Sequence, residues 1–347
     1  MTQRRAAFAI PGDLTTPTGG YMYERRLLEE LQAQGRDTKY LKLGDTFPDA
    51  SPAHMADAIA QLKALEVDRA VILDGFVSAT LETDALASLQ IPTIAMVHHP
   101  LAFETGLDEA RREQLHALER ANLRRVSHVL VPSPATKTIL IDAYSVPAEK
   151  ITIARPGTDR RARAGEKQSP PLILSVGIQH PRKGHDVLLE ALAKIQHLDW
   201  QAVIAGKVYD EAFANTLVNL HRDLGLERRV KLAGYVGDDE LTALYSSATI
   251  FALATRFEGY GLVFDEALAN GLPIVSCHTG AVPDTIPKNA RLLVQVDDPA
   301  ALADALTQLL QNPELYRSKQ TAAQNAGDKL PTWADTAKIA GSVLDDL

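Results

Sequence analysis

Two neighbouring cations, Arg182 and Lys183, follow a short apolar run and precede an amphipathic stretch, in the order Val176-Gly177-Ile178-Gln179-His180-Pro181-Arg182-Lys183-Gly184-His185. Cations at a helix start oppose the positive end of its dipole, a costly placement unless an anion binds there. Backbone N–H groups and two side-chain charges together suit a diphosphate. A second loop, 255–266, has the same logic. Gly259 and Gly261 allow a tight turn through Glu258 and Tyr260, and a helix is expected to begin near Leu262 and Val263. Its amides can face a phosphate, with Glu258 in the loop and Glu266 about one turn into the helix. Carboxylates suit sugar hydroxyls, because each oxygen accepts hydrogen bonds from neighbouring OH groups. In the first half, Gly19 and Gly20 lead from a loop into a helix, where an anion can approach the backbone closely. No Gly-Lys-Ser/Thr follows them and no GxGxxG is formed, so neither a Walker A loop nor a dinucleotide fingerprint is present. His98 and His99 end a middle apolar run. Adjacent residues of an extended segment point opposite ways, so one of the two is expected to face a ligand.

Short apolar runs alternate with helical patterns along the whole chain, the rhythm of parallel α/β units. Strands are predicted at 6–10, 40–43, 70–73, 91–97, 128–131 and 151–154, then at 172–176, 202–205, 230–232, 250–253, 274–276 and 292–294. A helix is predicted over 21–34, with Gly35 as its stop. Each half therefore reads as an open doubly wound sheet, and the loops at the carboxyl ends of both sheets are expected to face a shared cleft. A polar linker is expected within 158–171, where arginines are followed by Ser169-Pro170-Pro171. The expected division is a first domain over 1–165, a second over 166–330 and a C-terminal helix over 331–347 that returns to the first domain.

Composition narrows the function classes. The net charge of −8 and the 5% aromatic content argue against nucleic acid as a partner. The first 167 residues carry 21 Lys and Arg against 22 Asp and Glu, and the remainder 15 against 22, so no broad basic membrane-docking face is visible. The mixed charges of 108–125 read as a solvated helix face. No apolar run approaches the roughly 18 residues that span a bilayer, and 6–10 is too short for a signal peptide. A single cysteine, Cys277, excludes an internal disulfide and a multi-cysteine metal site, and a reducing cytoplasm is the expected compartment.

As a set, these motifs resemble the retaining GT-B glycosyltransferases of family 4, also called glycosyl transferases group 1. The match rests on Gly19-Gly20, His98, Arg182-Lys183-Gly184, and Glu258 with seven residues before Glu266. Ala154-Arg155-Pro156-Gly157-Thr158-Asp159 and Ala269-Asn270-Gly271-Leu272-Pro273 look like further landmarks of that family. The resemblance runs in order from about residue 10 to 283, and the C-terminal helix through Trp333 fits it.

The resemblance implies two Rossmann-like domains, the second binding a nucleotide sugar and the first an acceptor. Arg182 and Lys183 would hold the diphosphate, Glu266 the ribose and Glu258 the transferred sugar. Gly19 and Gly20 would approach the phosphate, and His98 would contact the sugar near the reacting carbon. Gly177, Gly206, Val236, Gly259, Tyr260, Gly261, Leu262 and Val263 would complete the donor site. Many relatives carry Arg directly after the glycine matched by Gly177; here Ile178 stands there, and Arg182 is expected to supply the charge. The implied reaction moves a hexose from a nucleotide sugar, a UDP-sugar first and GDP-mannose second, to a hydroxyl of a small-molecule, glycan or lipid acceptor. No Asp-x-Asp occurs, so neither metal nor cofactor is expected. Membrane association is expected to be peripheral at most, at the inner face, for a monomer or homodimer. The alternatives are a GT-B sugar-nucleotide epimerase or phosphorylase, and a non-catalytic nucleotide-sugar-binding protein.

Overall fold

The computed structural model describes residues 3–104, 106–159 and 166–347. Apolar runs such as Ala6-Ala7-Phe8-Ala9-Ile10 are wholly buried, as expected of parallel strands covered by helices on both faces. Six of them build the first sheet: β1 (Arg5–Pro11), β2 (Thr38–Leu43), β3 (Arg69–Leu73), β4 (Thr93–Met96), β5 (His128–Val131) and β6 (Ile151–Ile153). Six more build the second: β7 (Leu172–Val176), β8 (Gln201–Ala205), β9 (Val230–Gly234), β10 (Ile250–Leu253), β11 (Ile274–Cys277) and β12 (Arg291–Val294). Every strand predicted from the sequence is present, with ends that differ by one or two residues for most.

The strand orders are β2-β1-β3-β4-β5-β6 and β12-β11-β10-β7-β8-β9. All ladders are parallel; Phe8, for example, lies opposite Tyr40 on one side and Ile72 on the other. In such sheets the chain winds outward in both directions from one point, and the loops there diverge to leave a crevice. That point is between β1 and β3 in the first sheet and between β7 and β10 in the second.

The chain divides into two compact units, Met1–Gly157 with Pro331–Leu347, and Thr158–Leu330. The split falls before the position expected at 165/166. Residues 160–165 of the expected linker lie outside the described residues.

The helix Trp333–Asp345 belongs to the first unit and packs on the helix Gly19–Ala33. Thr332 and Asp335 form a capping box at its start. Trp333 meets Tyr23 edge-on at 5.6 Å, and the Thr336 hydroxyl donates to Arg155 O at 2.7 Å. At its end, the buried Arg36 pairs with Asp345 at 2.7 Å. Among the described residues no helix is long and apolar enough to cross a membrane.

Candidate functional site

In the second unit, the loop after β7 leads into a 3-10 turn, Pro181–Lys183, before the helix His185–Lys194. Arg182 and Lys183 thus stand just before the helix, beside its N-terminus. Gly184 causes the break: its φ is +63°, and a Cβ there would lie 1.9 Å from Ala254 O. Gly184→Ala is therefore expected to destabilise the chain by more than about 2 kcal/mol, read as a lower urea midpoint, because left-handed strain and a backbone clash add together.

The loop after β10 meets that turn. The Arg256 backbone N–H donates to Arg182 O at 2.8 Å. The Arg256 guanidinium bonds Pro181 O and pairs with Asp186 at 2.8 Å and Asp297 at 2.7 Å. The turn that carries the two cations is thereby clamped. Lys183 Nζ lies 2.6 Å from Glu258 Oε1, and Arg182 lies 3.5 Å from Oε2. Thr255 Oγ1 stands 3.1 Å from the same Oε1. Burial pushes the Glu258 carboxyl up, but Lys183 and Arg182 outweigh it and the net direction is downward. Glu258 is 4% exposed, a buried carboxylate shared by two cations.

The sequence reading supposed that only a bound anion offsets the two cations; Glu258 already offsets part of their charge. Two cations face one carboxylate, so the cluster still favours an anionic ligand. Its backbone is fixed from the next loop, where the Ala281 N–H donates to Glu258 O at 2.8 Å.

The remaining donor-site candidates of this unit lie in the connections that follow β7, β8, β9 and β10. Gly261 caps the helix Leu262–Ala269 with φ +86°, where a Cβ would strike the Phe264 ring. Leu262 and Val263 open that helix, and Glu266 lies one turn in, half-buried and hydrogen-bonded to Tyr245. Tyr260 is buried with its hydroxyl on Asp265, so the phenol is committed to the core, and Gly259 precedes it in the turn. Gly177 and Gly206 stand side by side at the ends of β7 and β8, and the Lys183 stem lies over Gly177. Val236 follows β9, the strand beyond β8.

In the first unit, Gly19 and Gly20 are the first residues of their helix, two residues earlier than the predicted start. A Cβ at Gly20 would touch the His98 ring at 3.6 Å. His98 follows β4 and lies 3.2 Å from Glu24, whereas His99 pairs with Glu104 at 3.0 Å. The two rings do part company, although the chain bends at both residues. Asp74, directly after β3, caps the helix Gly75–Thr80 by accepting from the Phe76 N–H at 2.8 Å. Among the described residues, Glu24, Asp74 and His98 are the one group of three whose metal-ligating atoms come together, within 4.8 Å of one another.

Sequence reasoning missed Glu24 and Asp74. Both carried a signal: Asp74 is the first polar residue after a fully buried strand, as His98 nearly is after β4. Glu24 lies on the apolar stripe of its helix with Leu27, Leu28 and Leu31, all buried.

Two family models match consecutive parts of the chain, Glycosyltransferase Family 4 over residues 21–161 and Glycosyl transferases group 1 over residues 158–326. D-inositol 3-phosphate glycosyltransferase of Corynebacterium efficiens is 32% identical over 58% of this chain and 50% of its own length. The GDP-mannose-dependent alpha-(1-6)-phosphatidylinositol monomannoside mannosyltransferase of Mycobacterium tuberculosis H37Rv is 31% identical over 65% of each. The chain spans about half the length of the first curated relatives it matches. In fold, it is similar to sucrose-phosphate synthase of Thermosynechococcus elongatus, with TM-score 0.81, 20% identity and 98% of each chain covered. Anabaena HepE, solved in complex with UDP and glucose, gives TM-score 0.77 and 17% identity over the whole of both chains.

Proposed function

We propose, for a chain that belongs to the glycosyl transferases group 1 and has their GT-B fold, that it moves a hexose from a nucleotide sugar to a hydroxyl acceptor. The carrying observation is the buried cluster of Arg182, Lys183 and Glu258 at the switch point of the second sheet. Breaking an anomeric C–O bond leaves a diphosphate whose negative charge grows in the transition state. Fixed cations in a water-poor site stabilise that charge without reorganising. Arg182 and Lys183 are clamped by Arg256 and Thr255, and are therefore preorganised. The first amides of the helix Leu262–Ala269 add donors for a phosphate.

In this reading Glu266 grips the ribose, with Tyr245 holding its carboxylate, and Gly177, Gly206 and Val236 line the nucleotide. Glu258 holds the cations apart and in place and meets the transferred sugar. By the resemblance, Gly19, Gly20 and His98 are the first unit's candidates for contact with phosphate and sugar. We infer retention at the anomeric carbon, with the departing diphosphate assisting deprotonation of the acceptor hydroxyl. A UDP-sugar stands first and GDP-mannose second: HepE holds UDP over a fully matched chain, and the mycobacterial relative is GDP-mannose-dependent. The acceptor class is a small-molecule, glycan or lipid hydroxyl, and membrane association is peripheral at most.

The test is incubation with a panel of UDP- and GDP-hexoses and hydroxyl acceptors. Nucleotide release coupled to an axial glycoside, seen by proton NMR of the product, is the expected result. Isomerised donor without release would favour an epimerase, and binding without turnover a non-catalytic protein. Activity is expected to survive a chelator, because cations already stand at the diphosphate position. Loss on chelation and recovery on adding Mg²⁺ or Mn²⁺ would count against this mechanism.

A further inference from the structure

Three polar side chains of the first unit form a stack at its own switch point, each from the connection that follows a different strand. Glu24 comes from the helix after β1, Asp74 from the end of β3 and His98 from the end of β4. Only the histidine reaches the surface: its side chain is 23% exposed, that of Glu24 is 1% exposed, and Asp74 is 5% exposed. Two carboxyl groups whose oxygens come within 4.8 Å of one another, with no Lys or Arg paired to either among the described residues, cannot both be ionised at reasonable cost. Hydrogen bonding says where the remaining proton belongs. Asp74 Oδ1 already accepts from the Phe76 N–H at 2.8 Å and the Val77 N–H at 3.3 Å. Among the described residues Glu24 Oε2 is buried without an N–H donor, so the proton lies between it and Asp74. With that proton at Oε2, Glu24 Oε1 is left as an acceptor, and His98 Nε2, 3.2 Å away, is the N–H.

We propose that Glu24 and Asp74 are positioning residues that share one proton, hold His98 with Nε2–H turned to Glu24, and leave Nδ1 outward to accept a hydrogen bond from a substrate hydroxyl. The surroundings agree with this. The Nε2–Cδ2 edge of the ring lies against Gly20, so the opposite edge carries Nδ1 away from the protein wall. Tyr23 packs edge-on against the ring at 5.4 Å, and its hydroxyl donates to Ala154 O at 2.7 Å, so it does not compete for Glu24. Burial drives both carboxyls upward, Glu24 to about 7 and Asp74 well above its ordinary range, so the pair keeps a proton at neutral pH. Burial also lowers His98, more than Asp74 raises it, so the ring is neutral at pH 7. A neutral acceptor nitrogen above a buried pair with one negative charge suits a hydroxyl and repels a carboxylate. The ligand class is thus a neutral hexose or a neutral alcohol, and uronate sugars are disfavoured.

This inference rests on the transferase reading for its substrate, but its first test does not. In ¹⁵N-histidine-labelled free protein, His98, assigned by its loss in His98→Gln, is expected to show a protonated Nε2 and an unprotonated Nδ1 at pH 7. A protonated Nδ1, or broadening of the His98 signals by substoichiometric Mn²⁺, would overturn the shared-proton arrangement whether or not the chain turns over sugar. Glu24→Gln offers an NH₂ in place of a carboxylate oxygen and is expected to disturb the tautomer and lower kcat about 10- to 100-fold, the effect of one misdirected hydrogen bond. Asp74→Leu removes the partner of Glu24 in the shared proton and should show the same kinetic defect. Asp74→Asn, whose amide supplies both the acceptor for Phe76 and a donor to Glu24, should recover most of what Asp74→Leu loses. Melting temperatures identify any variant that fails to fold, and the NMR result on native protein stands independently of them. Equal damage from Asp74→Asn and Asp74→Leu in folded variants would overturn the proposal. If donor hydrolysis without acceptor falls in Glu24→Gln, the hydroxyl belongs to the sugar; if only transfer falls, it belongs to the acceptor; unchanged rates of both would overturn the proposal.

Discussion

Replacing Lys183 by alanine is expected to lower kcat by about 10²–10³-fold, the cost of one preorganised charge contact to a developing anion. It is also expected to reverse the pH dependence of stability, which separates this site from an ordinary surface cation. In the native protein Glu258 titrates below its ordinary value because Lys183 and Arg182 outweigh its burial. A depressed carboxylate contributes stability that is present above its unfolded pKa and lost as pH falls through the folded one. The native melting temperature should therefore hold between pH 7 and 5 and decline below the usual carboxylate range. In Lys183→Ala the carboxylate stays buried with only Arg182, at 3.5 Å, as its cation. Burial then dominates and the folded pKa rises, so ionised Glu258 becomes a cost at neutral pH. The variant should melt lower than native protein at pH 7, and the gap should narrow as pH falls towards 5. Thermal scans across pH, with steady-state kinetics at saturating donor, check both halves. Near-native kcat would remove Lys183 from the diphosphate, and a gap that widens on acidification would remove it from Glu258.

How much of this was legible in the residues depends on distance along the chain. Strands such as Leu172–Val176 announce themselves because a parallel strand covered on both faces must be apolar at nearly every position. The paired glycines at 19 and 20 and the cations at 182 and 183 were likewise visible, since each lies where a strand gives way to a helix. The details of the turn were not. Gly184 was read as part of a family landmark, but only its left-handed conformation against Ala254 O separates the cations from the helix.

Non-local pairings were hidden altogether. Glu258 and Lys183 are 75 positions apart, and they meet because β7 and β10 are neighbours at the switch point, an order no local pattern encodes. Reading Glu258 as a sugar ligand alone therefore missed its part as counter-ion. Glu24 and Asp74 show the same limit. Each looked like one charge among many, and their chemistry emerges only when β1, β3 and β4 bring three connections to one point.

The two glutamates of the second unit should separate cleanly in kinetics and in stability, and in opposite ways towards free nucleotide. Glu266 is half-buried and pairs with Tyr245. A grip on the ribose is remote from the reacting carbon and equal in ground and transition states. Glu266→Ala should then raise the donor KM about 10-fold with little change in kcat, and weaken UDP or GDP by a similar factor. Glu258→Ala removes a carboxylate that two cations share. Their mutual repulsion lowers the melting temperature and lets the Lys183 amine drift from the geometry that the transition state needs, so kcat should fall by about 10²-fold or more. The same excess of positive charge should leave nucleotide diphosphate affinity intact or tighten it, because the ligand now supplies the missing anion. Saturating UDP or GDP should accordingly restore more melting temperature to Glu258→Ala than to Glu266→Ala, by mass action on the folded state. Calorimetric titration, thermal scans with and without nucleotide, and steady-state kinetics on both variants make the comparison. Loss of nucleotide affinity in Glu258→Ala equal to that in Glu266→Ala would place both carboxylates on the nucleotide and end the division between them.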